Sequence, residues 1–141
     1  MSEHVHATTV AIEGRAVLIT GPSGSGKSDL ALRLVDRGFT LVSDDQTILR
    51  CEENRLLASA PVTIAGKLEV RGLGIVEMET ATDVPVALLV ELARDVQRLP
   101  EDNRERLMLG VSVPLISLDA LTASAPAKVA LALDRMGIRF E

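Results

Sequence analysis

The sequence of 141 residues contains few aromatic side chains: two Phe, no Trp and no Tyr. Proteins that bind single-stranded nucleic acid stack the bases on aromatic rings. The formal net charge of −5 also disfavours contact with a phosphate backbone. We therefore expect no nucleic-acid partner, and we expect a core built from Val, Leu, Ile and Ala.

Cysteine and long apolar runs are scarce as well. The single cysteine, Cys51, excludes an internal disulfide and a cysteine-based metal cluster, and we expect its thiol to be buried or half-buried in a reducing compartment. The longest apolar run, residues 84–90, is interrupted by Pro85 and is too short for a membrane span. The first six residues lack the basic and apolar regions of a secretory signal. These absences predict a cytoplasmic protein without a membrane partner.

The length, with 47% hydrophobic and 25% charged residues, suits one domain over residues 1–141. Apolar runs and turn residues predict a mixed α/β fold, in which a strand, a glycine-rich loop, a helix and a strand form a βαβ unit. Residues 101–109 fit a short strand or a turn of helix. The other strands are expected at 7–12, 16–20, 39–42, 47–51, 55–58, 84–92 and 113–118, and helices at 28–37 and 125–136.

The glycine-rich loop matches the pattern G-x-x-x-x-G-K-[ST] in full. In this pattern backbone N–H groups converge on phosphates, the lysine reaches the β- and γ-phosphates, and the last hydroxyl coordinates Mg²⁺. A glycine-rich turn with a solvated lysine is the alternative, but a buried strand before the loop and an amphipathic helix after it favour function. We predict that ATP and Mg²⁺ are bound by Gly21, Pro22, Ser23, Gly24, Ser25, Gly26, Lys27 and Ser28.

Two adjacent acids, Asp44 and Asp45, follow the next predicted strand. They lie at its carboxyl end, where the ligands of open α/β sheets collect. One carboxylate there can hold Mg²⁺, and the other can accept a proton from an attacking hydroxyl. A polar strand end or a helix cap is the alternative, and the position of the pair favours the functional interpretation.

Other polar residues are ambiguous by themselves. Glu69 and Arg71 stand two apart in an apparent strand, so we expect them on one face, either as a Mg²⁺ ligand beside a phosphate contact or as an exposed ion pair. His6 and His4 have no third ligand nearby for zinc, and solvated terminal histidines are the simpler interpretation. Arg106 is typical of a surface charge.

Together these segments resemble the catalytic domain of HPr kinase/phosphorylase, a family that phosphorylates a serine of the phosphocarrier protein HPr. The resemblance is carried by His6 with Gly14, by residues 17–28 and 41–45, by Ala60 with Pro61, and by residues 68–75. The last stretch, Leu-Glu-Val-Arg-Gly-Leu-Gly-Ile, is the family's own signature and is more specific than the phosphate loop. The sequence is similar to the short form of the family found in some proteobacteria.

The resemblance implies a P-loop-containing mixed sheet with flanking helices, as in HPr kinase and phosphoenolpyruvate carboxykinase. It implies that Lys27 and its loop bind the ATP phosphates and that Arg71 flanks the site. Ser28 and Glu69 would hold Mg²⁺, with Asp44 as a further candidate ligand.

The same resemblance implies catalytic roles. Asp45 would take the proton from the substrate serine, and Asp44 would support it. His6 would lie beside the active site, with its imidazole near the reacting group or Asp45. Arg106 is the best match to a catalytic arginine of the family. Members also use a Val-Arg-Pro-Gly-Arg-Asn segment for the reverse, phosphate-using reaction. Residues 121–128 contain no arginine and only Lys128 as a charge, so the resemblance gives no support to a phosphorylase activity here.

These observations favour an ATP- and Mg²⁺-dependent serine kinase acting on an HPr-like phosphocarrier protein. A small-molecule kinase is an alternative, although no arginine-rich lid is evident in the sequence. A non-catalytic ATP-sensing module, for example for a two-component system, is another, against which the acids Asp44, Asp45 and Glu69 argue. Because members of the family form homo-hexamers, the resemblance favours a homo-oligomer.

Overall fold

The computed structural model describes residues 2–96 and 104–140. The helices are α1 (Lys27–Asp36) and α2 (Ala125–Met136), and a 3-10 turn spans Val62–Ile64. The strands are β1 (Ser2–Val5), β2 (Ala7–Ile12), β3 (Arg15–Thr20), β4 (Thr40–Ser43), β5 (Thr47–Glu52), β6 (Arg55–Ser59), β7 (Lys67–Val70), β8 (Gly74–Glu77), β9 (Val84–Leu92), β10 (Glu105–Met108) and β11 (Val111–Leu118).

The described strands other than β7 and β8 form one mixed sheet. Its order is β1-β5-β6-β9-β3-β2-β4, and β11 pairs with β9 and with β10. Strands β3 and β11 are both parallel to β9. The predicted mixed α/β fold with flanking helices is thus confirmed.

Strand β3 lies in the middle of this sheet and is buried on both faces. Val17 and Ile19 face the side on which α1 and α2 pack, whereas Ala16 and Leu18 face the opposite apolar cluster. Successive side chains of a strand point to opposite faces. The continuous apolar run in the sequence therefore reflects two cores that share one strand.

The predicted βαβ unit is present, but another strand lies between its two parallel strands. Strand β2 pairs antiparallel with β3 on one edge and with β4 on the other. Because β3 and β4 both run opposite to β2, they run parallel to each other. The segments that follow β3 and β4 consequently leave the sheet at the same end, the carboxyl end of both strands.

Strands β7 and β8 form a separate antiparallel hairpin beside α1. Strand β7 ends at Val70, and the chain turns at residues 71–73 before β8 begins at Gly74. The expectation that Glu69 and Arg71 share one face of a strand was wrong, because Arg71 belongs to the turn. Gly72 and Gly74, with φ of 91° and 93°, allow this reversal.

The element bounds largely match the predicted ones, whereas the position of Cys51 does not. The predicted strands and the two predicted helices are confirmed to within a few residues. Cys51 is exposed, not buried or half-buried, because it lies near the end of β5, where the burial pattern turns outward. Of the uncertain 101–109 segment, residues 101–103 lie outside the described residues and Glu105–Met108 is a strand. Among the described helices, none is long and apolar enough to span a membrane.

Candidate active site

The glycine-rich loop connects β3 to α1 at the carboxyl end of β3. Gly24 and Gly26 have φ of 79° and 99°, a left-handed conformation that side chains with a Cβ rarely adopt. A Cβ added to Gly26 would also approach the Cβ of Ala120 to 3.2 Å. The amide of Ser25 donates to the carbonyl of Pro22 over 3.0 Å and tightens the turn. The loop therefore makes a tight turn through left-handed glycines, as phosphate-binding loops do.

Lys27 opens α1, and its side chain folds back over the loop. Its exposed fraction is 6%, and its ammonium group donates hydrogen bonds to the carbonyl oxygens of Gly21, at 2.8 Å, and Pro22, at 3.1 Å. A buried ammonium group requires such acceptors, because burying an unpaired charge is costly. The cation is thereby held over the loop at the start of α1, the end at which a helix dipole is positive.

Asp44, directly after β4, is the buried acid of the pair. Its exposed fraction is 7%. Oδ1 accepts hydrogen bonds from the hydroxyls of Ser28, at 2.6 Å, and Thr8, at 3.1 Å, and Oδ2 accepts one from the backbone amide of Glu69 at 3.0 Å. One carboxylate thus joins the phosphate loop, strand β2 and the β7–β8 hairpin.

Asp45 is the exposed acid, and it lines the cavity beside the loop. Its backbone φ is 68°, in the left-handed region that aspartate tolerates better than most residues. Oδ1 lies 2.6 Å from Nε2 of His6, which follows β1. The structure therefore brings His6, which stays half exposed, to an acid 39 positions later in the chain.

A cavity of about 460 Å³ opens between the loop and the β7–β8 hairpin. This volume is in the range of small-molecule sites. Leu32 of α1 and Leu121 provide apolar lining. Of the predicted site residues, the cavity is lined by Ser23, Gly24, Gly26, Lys27, Ser28, Asp45, Glu69 and Arg71.

The segment around Leu121, which lines the cavity, is hydrogen-bonded to α1. The guanidinium group of Arg33 donates to the carbonyl oxygen of Thr122 over 3.2 Å and to that of Ala120. Asp119 also accepts a hydrogen bond from the amide of Leu121 at 2.9 Å. These contacts hold the segment after β11 beside the phosphate loop.

The residues present fit a Mg²⁺-bound nucleoside triphosphate. Mg²⁺ prefers oxygen ligands. The hydroxyl of Ser28 lies 2.6 Å from Oδ1 of Asp44, and Glu69, whose backbone amide donates to the same carboxylate, lines the cavity with Ser28. The Oγ of Ser25 is buried inside the loop and has no hydrogen-bond partner among the described residues. A polar atom in that position is suited to a ligand that brings its own polar groups.

Among the predicted catalytic residues, Arg106, like His6 and Asp44, does not line this cavity. It is on β10, and its guanidinium group donates to Oε2 of Glu91 at 2.8 Å. Arg104 also approaches Glu91, at 3.9 Å, and donates to the hydroxyl of Ser117. Glu91 lies on β9 opposite Thr20, the last residue of β3 before the glycine-rich loop. Arg106 is part of this ion-pair cluster, and its catalytic role stays a prediction.

Thr8 is a site residue that sequence reasoning missed. Its hydroxyl is within hydrogen-bond distance of Asp44 and of the backbone amide of Asp45. The available signal was a pair of threonines, Thr8 and Thr9, inside an otherwise apolar strand that begins next to His6. This signal is weak because threonine is common in strands for its β-branching alone.

Comparisons with known proteins identify a family for this chain. The family model described as HPr Serine kinase C-terminal domain matches residues 1–132. The HPr kinase/phosphorylase of Chlorobium phaeobacteroides is 38% identical over 129 residues, covering 82% of this chain and 38% of the relative. That of Levilactobacillus brevis is 35% identical over 133 residues, covering 85% of this chain and 43% of the relative. The chain spans about two fifths of the length of the curated relatives it matches.

The structure also matches a solved one over nearly its whole length. The Hpr(Ser) kinase/phosphatase from Coxiella burnetii superposes with a TM-score of 0.81 and 30% sequence identity, covering 94% of each chain. The segment that the family model matches, residues 1–132, includes the phosphate loop, both acids, the β7–β8 hairpin and most of α2. The chain belongs to the HPr serine kinase C-terminal domain family.

Proposed function

We propose that the chain is an ATP- and Mg²⁺-dependent kinase that phosphorylates a serine of an HPr-like phosphocarrier protein. The observation that carries this proposal is the arrangement around Asp44. A single buried carboxylate ties Ser28 of the phosphate loop to the hairpin that holds Glu69, with Asp45 at the mouth of the same cavity. Membership of the family supplies the substrate class.

In this proposal the loop and Lys27 bind and orient the phosphates. The reaction is a displacement at phosphorus in line with the leaving oxygen, so most of the rate comes from positioning and from charge stabilisation. Mg²⁺, held by Ser28 and Glu69 with Asp44 beside them, would neutralise charge on the phosphates. Lys27 would exchange its two carbonyl acceptors for phosphate oxygens.

Asp45 would act as the base for the serine hydroxyl. It is the more exposed of the two acids, so an incoming protein side chain can reach it. Its hydrogen bond with His6 fixes one carboxylate oxygen and leaves the other for the substrate. Asp44, by contrast, is occupied by donors on both of its oxygens, which suits it to a supporting role.

The test is transfer of the γ-phosphoryl group from labelled ATP to HPr-type proteins, with the modified residue located by mass spectrometry. We expect phosphoserine on the carrier protein, and we expect Asp45→Asn and Lys27→Ala each to lower the rate by roughly 10²–10⁴-fold.

The matched control is Asp83→Asn. Asp83 also has a left-handed φ, 55°, and pairs with an arginine, Arg50, at 2.5 Å, but it precedes β9 at the opposite end of that strand from the cavity. The control should transfer phosphate like the wild type. A near-normal rate in Asp45→Asn would refute the role of this acid. Tight ATP binding without any phosphorylated product would instead support an ATP-sensing module.

The proposal includes the assembly and the location that the family suggests. We expect a homo-oligomer, as hexamers occur in the family, and a cytoplasmic reaction, where ATP and a phosphocarrier substrate are available. The reverse reaction, transfer of the phosphoryl group from phosphoserine to inorganic phosphate with formation of pyrophosphate and free serine, is expected to be weak or absent, since residues 121–128 lack the family's arginines.

A further inference from the structure

Thr8 is a fully buried polar residue at the point where β2 passes the two acids. Its exposed fraction is 0%, and it lies in a strand whose other residues, apart from Thr9, are apolar. A hydroxyl removed from water at such a position is costly unless it forms hydrogen bonds. The partners it forms indicate what it does.

The hydroxyl of Thr8 connects the two acids through hydrogen bonds of opposite direction. It donates to Oδ1 of Asp44 at 3.1 Å and accepts from the backbone amide of Asp45 at 3.0 Å. A carboxylate can only accept and an amide N–H can only donate. One group that does both is required between them, and a threonine or serine hydroxyl meets this requirement whereas valine does not.

These bonds act on a strained piece of backbone. Asp45 has φ of 68°, a conformation that disfavours residues with a Cβ, and the hydrogen bond from its amide to Thr8 helps to hold it there. Its carboxylate is held from the other side by His6 at 2.6 Å. The direction of this carboxylate is therefore set by Thr8 through the backbone and by His6 through the side chain.

We propose that Thr8 is a positioning residue for the kinase reaction, holding Asp44 on the phosphate-loop side and Asp45 toward the substrate. This inference rests on the proposed function for its kinetic part. Thr8 does not line the cavity, so it acts only through the two acids. Its removal should lower the turnover number and leave ATP affinity almost unchanged, because the loop residues that bind phosphate keep their own contacts.

The neighbouring residue provides a matched control. Thr9 is also fully buried in β2, and its hydroxyl lies 2.8 Å from that of Thr47, which in turn donates to the carbonyl oxygen of Ala7. Thr9 and Thr8 point to opposite faces of the strand. The variant Thr9→Val thus removes a buried hydrogen-bonding hydroxyl from the same strand without touching either acid.

The experiment compares Thr8→Val, Thr8→Ser and Thr9→Val in the full chain. We expect kcat for transfer to an HPr-type protein to fall at least tenfold in Thr8→Val, with the Kd for a non-hydrolysable ATP analogue within about twofold of the wild type. Thr8→Ser should restore most of kcat because it restores the hydroxyl, and Thr9→Val should transfer like the wild type. A wild-type kcat in Thr8→Val, or equal losses in Thr8→Val and Thr9→Val, would overturn the inference.

Amide hydrogen exchange separates this inference from the proposed function. The amide of Asp45 should exchange at least tenfold faster in Thr8→Val than in the wild type, and at an unchanged rate in Thr9→Val. Absence of transfer by the wild-type chain would refute the proposed function without affecting this measurement. Exchange at Asp45 that is equally fast in the wild type and Thr8→Val would overturn the placement of Thr8 itself.

Discussion

Two regions face each other across the cavity, and they are built differently. One is the central part of the sheet with its loop and α1, where the side chains of β2 and β3 are almost all buried. The other is the β7–β8 hairpin, where Leu68 is the buried apolar residue and most of the remaining side chains are exposed. Both contribute residues to the same cavity.

The difference indicates a division of tasks. In the proposed function the central region binds the phosphates, and it carries the acids on a framework fixed by two apolar clusters. The hairpin brings Glu69 and Arg71, and its buried contact with the framework is made by Leu68, with Val70 packed partly buried against the same cluster. Because its other side chains are mostly exposed, we expect it to open locally more readily than the central strands. Its link to the framework includes the hydrogen bond from the amide of Glu69 to Asp44. We infer that the hairpin can adjust to the nucleotide while the framework stays unchanged.

The largest difference between the regions is expected in stability. Leu18, in β3, is fully buried within the cluster that includes Leu49 and Leu56. The variant Leu18→Ala should lower the free energy of unfolding by about 3 kcal/mol, since it loses apolar burial and leaves a cavity. Urea denaturation measures this change. A loss below about 1 kcal/mol would contradict the description of this region as the rigid one.

A smaller effect is expected for the acid in the hairpin. Glu69→Gln keeps the backbone amide that binds Asp44 but removes a carboxylate from the proposed Mg²⁺ site. We expect the Mg²⁺ concentration for half-maximal transfer to rise about tenfold, or about 1.4 kcal/mol. The matched control is Glu77→Gln, on the neighbouring strand and exposed. An equal Mg²⁺ requirement in both variants would argue against Glu69 as a ligand.

The smallest effect is expected for the exposed face of the hairpin. Ile75 is 61% exposed and lies opposite Glu69 in the register of the two strands. The variant Ile75→Ala should change the free energy of unfolding by less than about 0.5 kcal/mol, as is usual for exposed positions. A loss similar to that of Leu18→Ala would show that the hairpin is part of the rigid core, and the comparison would fail.

The sequence was most informative where a residue pattern follows directly from burial. The apolar run of β3 and the glycine-rich loop predicted the phosphate-loop unit to within a residue. Strand β1 was not expected, because its Ser2, Glu3 and His4 are exposed and show no alternation of apolar side chains. Its backbone pairing with β5 is what brings His6 near Asp45.

Long-range contacts account for the rest of what sequence reasoning could not supply. The resemblance to a family suggested that His6 lies beside Asp45, but no local pattern joins residues that far apart. The same holds for Asp44 and the amide of Glu69, which are 25 positions apart. The role of Thr8 could not be predicted, because threonine is common in strands for its β-branching alone.

The central claim is that a triphosphate with Mg²⁺ binds between the loop and the acids. A crystal structure with a non-hydrolysable ATP analogue and Mn²⁺, whose anomalous signal locates the metal, tests it most directly. We predict phosphates on the backbone amides of residues 24–28, the ammonium group of Lys27 moved from its carbonyl acceptors to a phosphate, and the metal beside Ser28 and Glu69. A nucleotide bound elsewhere, or Lys27 still on the carbonyl oxygens of Gly21 and Pro22 with the site filled, would contradict it.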